Sequence, residues 1–500
     1  MSLAILLAPV LPCIDLPQHL AMATELRRLW DGDPWASANL ASNVATHNAG
    51  IAVFAAALAP LVPIELGGRL FLATYPPLLV YGVARFLRAR GLPAWRVLLV
   101  LPATLGFSFG WGFANFCVGT GLAWLALALV AEQLDQLRAG RAAALAFVAS
   151  ILGATHVMAM LLTAIVAFAL GLEHLVRGAR TRRAVAFVAL AGAPLLVGCL
   201  YDLAVLSAHL AKDAGSYTSL PQGFEEFGFF RKIIWFGTFV SGLYRTYADT
   251  VVAWGTIALL SVMAIASRKR GAPPPAGRPV VAPLVVLLVF YFAVPHVFVN
   301  THLVFQRVAG WVVVAALFAV PPLADGLDRR FARWGSAIGA ASTALFPIHV
   351  AWLALETRGL DATLAAVPRG ALLTGYIEEP RTASMRMTSL SHVAALAVPR
   401  GAADEGFSFA RLLGMPVVYR PGHVPPYPVP SWEHGAHPYR SAELLARRYP
   451  FLFVRVAWEE EPPSITALRL FGADHAKVVL VARHGRWSLW DTNAIAATLP

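Results

Sequence analysis

Long apolar runs recur along this chain, at 68–86, 97–110, 113–132, 143–173, 184–206, 250–267, 280–298, 307–324 and 335–355. A spanning helix needs about 20 predominantly apolar residues, and in hydrocarbon each backbone N–H and C=O must be satisfied within the segment itself. So many runs of this kind admit only a polytopic α-helical membrane fold. Composition agrees: 58% of the 500 residues are hydrophobic and 14% are charged, where a soluble domain has roughly 45–50% and about 25%. Mean hydropathy is +0.63.

The formal charge of +12 raises the question of nucleic acid. The cations instead fall in short clusters between apolar runs, with no basic patch interleaved with aromatics, so no nucleic-acid partner is expected. Arg85, Arg88, Arg90 and Arg96 form one cluster, Arg138 and Arg141 a second, and Arg177, Arg180, Arg182 and Arg183 a third. Arg268, Lys269, Arg270 and Arg278 form a fourth, and Arg329, Arg330 and Arg333 a fifth. Placing all five in the cytoplasm has two consequences. The run 143–173 must cross twice, turning near "GATHVM", and the run 49–63 lies at the interface or re-enters. With the first run counted, about 10–11 transmembrane helices result. The N-terminus is then inside, and 13–67 is a long extracytoplasmic loop. The first run, Ser2 to Pro12, is short for a crossing, and no basic region or cleavage site marks a removable signal peptide. Cys13, Cys117 and Cys199 are too far apart to form a disulfide framework or a metal spacing.

From about 356 the character changes. Prolines and charges rise, and short β-rich stretches appear: "FLFVRVAW", "KVVLVARHG" and "RWSLWDT", the last two reading as a hairpin around His484-Gly485. "SITALRLFG" reads as a helix. The division expected is a transmembrane domain over 1–355 and a small extracytoplasmic α/β domain over 356–500.

Chemistry-bearing residues stand out against the apolar background. In "DLPQHL", Asp15 can cap a helix, with Pro17 in the first turn and Gln18 placed as in a capping box. A carboxylate at a membrane surface can equally act as a general base or hold a divalent cation, and His19, one turn on, can share either task. His156 sits at the turn within 143–173, either as a functional intramembrane ionisable group or bonded to a helix end. "PHVFVNTHLVFQRVAGW" gathers His296, Asn300, His302 and Arg307 where one run ends and the next begins. Arg307 can fork onto phosphate oxygens or snorkel to headgroups. "WGFANFCVGTGLAWLALAL" reads as helix packing through small residues, and "DGDP" at 31–34 as a turn. "SWEHGAHPYR" in the tail reads as a surface loop rather than a metal site, and Glu225 and Glu226 could supply a second acid.

Together these pieces resemble the GT-C superfamily of integral-membrane glycosyltransferases, in particular bacterial relatives of aminoarabinose transferases and protein O-mannosyltransferases. The resemblance lies in layout: a first run, a long outer loop opening on an acid (Asp15) with an interfacial segment at 49–63, a second crossing in "GGRLFLATYPPLLVYGVARFLRARG", paired short helices over 143–173, and a C-terminal soluble domain. The pattern "D-x-P-x-H-L" and an arginine opening a late crossing, Arg307, are similar to features of bacterial GT-C-like proteins. The resemblance implies transfer of a sugar from a polyprenyl-phosphate-linked donor to a lipid, glycan or protein acceptor at the outer face of the cytoplasmic membrane. Asp15 would be the catalytic residue, with a divalent metal cation possible there. His19, His156, His302 and Arg307 would bind substrate. The competing expectation is a non-catalytic relative, or a transporter or lipid-handling scaffold using the same polar groups.

Overall fold

A computed structural model of the chain describes residues 1–46, 48–176, 192–193, 195–201, 203–204, 223–225, 227–268, 279–299, 301–412, 414–423, 446 and 448–496. Five helices among these are long and apolar enough to cross a membrane: Ile64–Ala89, Ala114–Leu134, Val157–Val176, Ala248–Ser267 and Gly326–Glu356. Four shorter apolar helical stretches accompany them, at Ala94–Gly110, Ala139–Thr155, Ala282–Ala293 and Phe305–Ala319. The chain is thus a helical, polytopic membrane protein. Most of the run 184–206 and the basic stretches 177–183 and 269–278 lie outside the described residues.

The residues divide into two compact units, Met1–Leu6, Leu72–Ala211 and Pro221–Ile348 in one, and Leu7–Phe71, Lys212–Leu220 and His349–Pro500 in the other. In the first, Ala114–Asp135 is central: its apolar window is 89% buried, against 22% for that of Ala248–Ser267. The small residues explain the close packing. A Cβ on Gly82 of helix Tyr75–Ala89 would lie 2.6 Å from the Leu125 nitrogen, and one on Gly121 would lie 2.8 Å from Leu78 Cβ. The run 143–173 does resolve into two helices, Ala139–Thr155 and Val157–Val176, parted by a single extended residue, His156 (φ −164°, ψ 118°).

Two cations close helix ends in this unit. Arg96, expected in a basic loop, is buried and donates to the carbonyls of Leu317 (3.2 Å), Val320 (2.6 Å) and Pro321 (2.7 Å) after helix Ala309–Ala319. Lys232 Nζ donates to the carbonyls of Tyr291 (3.2 Å), Phe292 (2.9 Å) and Val294 (2.7 Å) at the end of helix Ala282–Ala293. The last carbonyls of a helix have no partner within it, and a desolvated end requires such donors.

In the second unit the expected first loop is not an appendage of the membrane part. Ala23, Leu26, Ala36, Leu40, Ala52, Ala55 and Ala56 share one core with Ala410, Val417 and Tyr419, and strand Leu40–Ser42 pairs antiparallel with Val417–Tyr419. Compactness therefore joins 7–71 to the tail, whereas hydropathy along the sequence grouped it with the helices preceding 355. The tail carries a five-stranded mixed sheet, in the order Asp404–Glu405, Leu372–Ile377, Phe451–Arg455, Trp487–Asp491 and Val479–His484. The first two pairings are parallel and the last two antiparallel. The hairpin at His484-Gly485 and helix Pro463–Phe471 stand where the sequence placed them. Gly485 takes φ +61° in the turn, a conformation that costs glycine no steric clash.

Candidate functional site

Helix Leu16–Trp30 starts directly after Asp15, with Pro17 in its first turn. The capping-box expectation is not met: Asp15 takes helical angles (φ −87°, ψ −9°) and its side chain makes no capping hydrogen bond. Gln18 does not turn back toward Asp15 either. Its amide donates to Phe407 O and to Glu405 Oε2 (3.2 Å), and its Oε1 accepts from the Phe409 N–H at 3.1 Å. The motif is built to hold a distant strap of chain, 405–409.

That strap supports an imidazole the sequence reading missed. His392 is buried, stacks on Phe407 (centroids 4.9 Å, planes 11° apart) and meets Phe409 edge-on at 5.7 Å. Its Nε2 lies 3.6 Å from Asp15 Oδ1. His19, expected to assist Asp15, is buried on the same helix: its ring is edge-on to Phe409 at 5.9 Å and its buried Nδ1 makes no hydrogen bond. Burial pushes its pKa down to about 4, so it is neutral near pH 7.

Further along the same helix lies a set of buried acids. Glu25 is fully buried, and neither carboxyl oxygen has a hydrogen-bond partner. Burial and the neighbouring Asp404 raise its pKa well above the usual carboxylate range, against the pull of Arg28. Asp404 accepts from the Tyr419 hydroxyl and from the Glu405 N–H at 2.7 Å, and burial still pushes it up to about 6. Glu405, holding Gln18 and the Phe407 N–H (3.1 Å), is pushed by burial up to about 8. Arg28 spends its donors on the carbonyls of Ala402 (2.7 Å) and Ala403 (2.9 Å).

The remaining sequence-predicted residues belong to the other unit. Arg307 lies in a short 3-10 turn, Phe305–Val308, that leads into helix Ala309–Ala319. Its guanidinium carbon is 3.7 Å from the Phe113 ring centroid and 6.0 Å from that of Phe116, and Nη2 donates to His302 O at 3.1 Å. His302 ends a small antiparallel sheet of Gly223–Glu225, Val297–Val299 and Thr301–His302. Leu303, next in the chain, has φ +59°, a left-handed conformation unusual for leucine and a local strain at this turn. His156 meets Phe116 edge-on at 5.3 Å, and its Nδ1 accepts the Met158 N–H at 3.2 Å. It therefore accepts from a backbone amide at the start of helix Val157–Val176, a bond to a helix end. A narrow cleft lies beside Arg307, with Thr104, Ser108 and Thr120 among its polar lining and Tyr75, Trp124 and Trp311 among its aromatic lining.

Thus His156, His302 and Arg307 gather around Phe113 and Phe116, while Asp15 and His19 lie in the second unit. "DGDP" is the turn expected: Gly32 has φ +72°, and Asp33 caps helix Pro34–Asn39 by accepting the Ala36 N–H at 2.8 Å. Glu226 and "SWEHGAHPYR" lie outside the described residues. Among the described residues no three His, Cys, Asp or Glu side chains are arranged to hold a metal ion.

His392, Glu25 and the Asp404–Glu405 pair carry no local signal. Each is a single polar residue or pair whose meaning comes from chain more than 300 residues away, for example Gln18 with Glu405.

No family model matches the chain, and no curated protein is similar to it in sequence. Among solved structures, the chain is similar to ArnT from Cupriavidus metallidurans, determined bound to undecaprenyl phosphate. The likeness covers 98% of this chain and 95% of that one, with 13% identity and a TM-score of 0.54. The likeness shows a shared fold over nearly the whole chain, that of a helical, polytopic membrane protein.

Proposed function

We propose that this protein is a membrane glycosyltransferase that moves a sugar from a polyprenyl-phosphate-linked donor to an acceptor at the outer face of the cytoplasmic membrane. The observation that carries this reading is the likeness over nearly the whole chain to a GT-C structure that holds a polyprenyl phosphate. A donor anchored in the bilayer brings its phosphate to the membrane surface, so chemistry belongs where polar groups meet apolar helices. Asp15 is the base: one carboxylate oxygen takes the proton of the acceptor nucleophile as that atom attacks the anomeric carbon. The bond from that carbon to the phosphate oxygen breaks, and the phosphate leaves with the electron pair. Arg307, held flat on Phe113 and anchored at His302 O, presents a planar cation suited to the lipid phosphate. His156 supports Phe116 beside it, and the neutral His19 offers a hydrogen-bonding ring nitrogen to the acceptor. The N-terminus of the chain lies inside and the C-terminal domain is extracytoplasmic, where it selects the acceptor. A divalent cation held at Asp15 would offset charge on the departing phosphate, and none of these steps is routed through it.

The test is replacement of Asp15 by Asn in a strain whose surface glycans are profiled. Asp15→Asn, expressed at the normal level, is expected to abolish one glycan signal, and Arg307→Ala to reduce it by about tenfold or more. An unchanged profile in both variants would identify a non-catalytic relative or a lipid-handling scaffold instead.

A further inference from the structure

Asp15 opens helix Leu16–Trp30, and the side chain beside it comes from the tail. His392 Nε2 is 3.6 Å from Asp15 Oδ1, longer than a hydrogen bond but within ion-pair reach. Three features hold the imidazole there. Phe407 stacks on its face, Phe409 abuts its edge, and the ring is buried, with its side chain 6% exposed against 17% for Asp15. The two phenylalanines are themselves fixed by Gln18, which bonds Phe407 O and the Phe409 N–H. Gln18 is three residues after Asp15 on the same helix turn. One short motif therefore supplies both the carboxylate and the clamp for the shelf on which its partner imidazole rests. A histidine kept only for packing would not need its ring nitrogen aimed at the most exposed polar group of the cluster.

We propose that His392 is a positioning residue for Asp15: its Nε2, 3.6 Å from Oδ1 here, closes to an N–H···O hydrogen bond when the acceptor binds, as such bonds tighten in the substrate complex, and so turns Oδ2 toward the acceptor. This rests on the reading of Asp15 as the base. In the transfer step the acceptor proton passes to Oδ2, the new bond forms at the anomeric carbon, and the phosphate departs with the electron pair of the broken bond. His392 neither gains nor loses a proton overall. It holds the carboxylate in one rotamer and tempers its basicity, the role an imidazole–carboxylate pair performs when one member must be oriented.

Two substitutions separate orientation from packing. His392→Phe keeps an aromatic ring on the Phe407–Phe409 shelf and removes the N–H. His392→Gln places an amide N–H near the position of Nε2. In the glycan-profiling strain, His392→Phe is expected to lower the signal about 10- to 100-fold, and His392→Gln to restore most of it. Independently, in purified protein labelled with ¹⁵N-histidine, the His392 Nε2 resonance is expected to shift on Asp15→Asn. Wild-type glycan with His392→Phe, while Asp15→Asn abolishes it, would overturn the positioning role and leave the enzyme reading intact. Equal loss with Phe and Gln, and no resonance shift, would also overturn it. Should Asp15→Asn itself leave the glycan unchanged while the resonance shifts, the pair exists and the glycosyltransferase reading fails.

Discussion

Glu25 has the most unusual environment of any single residue described. A fully buried carboxyl with no hydrogen bond to either oxygen is costly when charged, and Asp404 beside it makes ionisation costlier still. The consequence for stability follows from the direction of the shifts. Glu405 has a folded pKa of about 8 against the ordinary 4.5, so the folded state holds a proton that the unfolded state releases between those values. Its contribution is complete below pH 4.5 and is lost as pH rises through about 8, and Glu25, raised likewise, acts in the same sense. His19 opposes them only at lower pH: depressed from 6.5 to about 4, it contributes above 6.5 and loses that contribution as pH falls through 4. Between pH 6.5 and 8 the contribution of His19 is constant while that of Glu405 is being lost, so these groups together lower stability there. Glu25→Gln keeps the shape and removes the charge. It is expected to raise stability at pH 8 by roughly 1–2 kcal/mol and to flatten the decline, as read from denaturant unfolding in detergent followed by tryptophan fluorescence. A steeper decline in the variant would contradict this account. Little of it was legible in sequence, because nothing near Glu25 hints at Asp404, whereas Asp15 and Arg307 were visible as charges at the ends of apolar runs.

Helices in the first unit meet through glycine, and here the sequence was more forthcoming. The small residues of "WGFANFCVGTGLAWLALAL" announced close packing, and a Cβ at Gly82 would strike backbone atoms of Trp124 and Leu125 at 2.6–2.7 Å. Backbone cannot yield as a flexible side chain can, so the two helices would have to separate. Gly82→Ala is expected to destabilise the protein by about 1–3 kcal/mol. Gly255→Ala, in helix Ala248–Arg268 with nothing within 4 Å, is the control and should be neutral or slightly stabilising. Thermal unfolding of both variants in the same detergent makes the comparison, and equal midpoints would refute the close approach. The break at His156 was also legible, because basic clusters on either side of 143–173 required an even number of crossings. The mixed sheet was not. Its Asp404–Glu405 strand has two residues and pairs in parallel with Leu372–Ile377, a long-range contact that alternation patterns cannot reveal.

For the molecule as a whole, the consequential feature is the discontinuous second unit. Hydropathy draws a boundary near 355 because apolar runs stop there, but cores are drawn by contacts, and residues 7–71 find theirs in the tail. Ala23 and Leu26 lie against Ala410, Val417 and Tyr419, Ala21 against Ala395 and Val398, and Arg400 ties Glu65 (3.0 Å) to Asp361 (2.7 Å). Helix Leu16–Trp30, buried from Leu16 to Leu26 with Gln18 and Glu25 among those residues, cannot present that face to water at low cost. A chain ending at 355 should therefore fail locally before it fails globally. Limited proteolysis is expected to cleave the truncated protein within 16–58 at least tenfold faster than the full chain, since cleavage follows the population of the opened state. Ala114–Asp135, whose partners are retained, should stay protected in both and serves as the internal reference. If 16–58 resists cleavage equally without the tail, the shared core does not hold this segment. If the expectation holds, the segment carrying Asp15 is folded by the tail, which explains how a residue at the start of the chain comes to have His392 beside it.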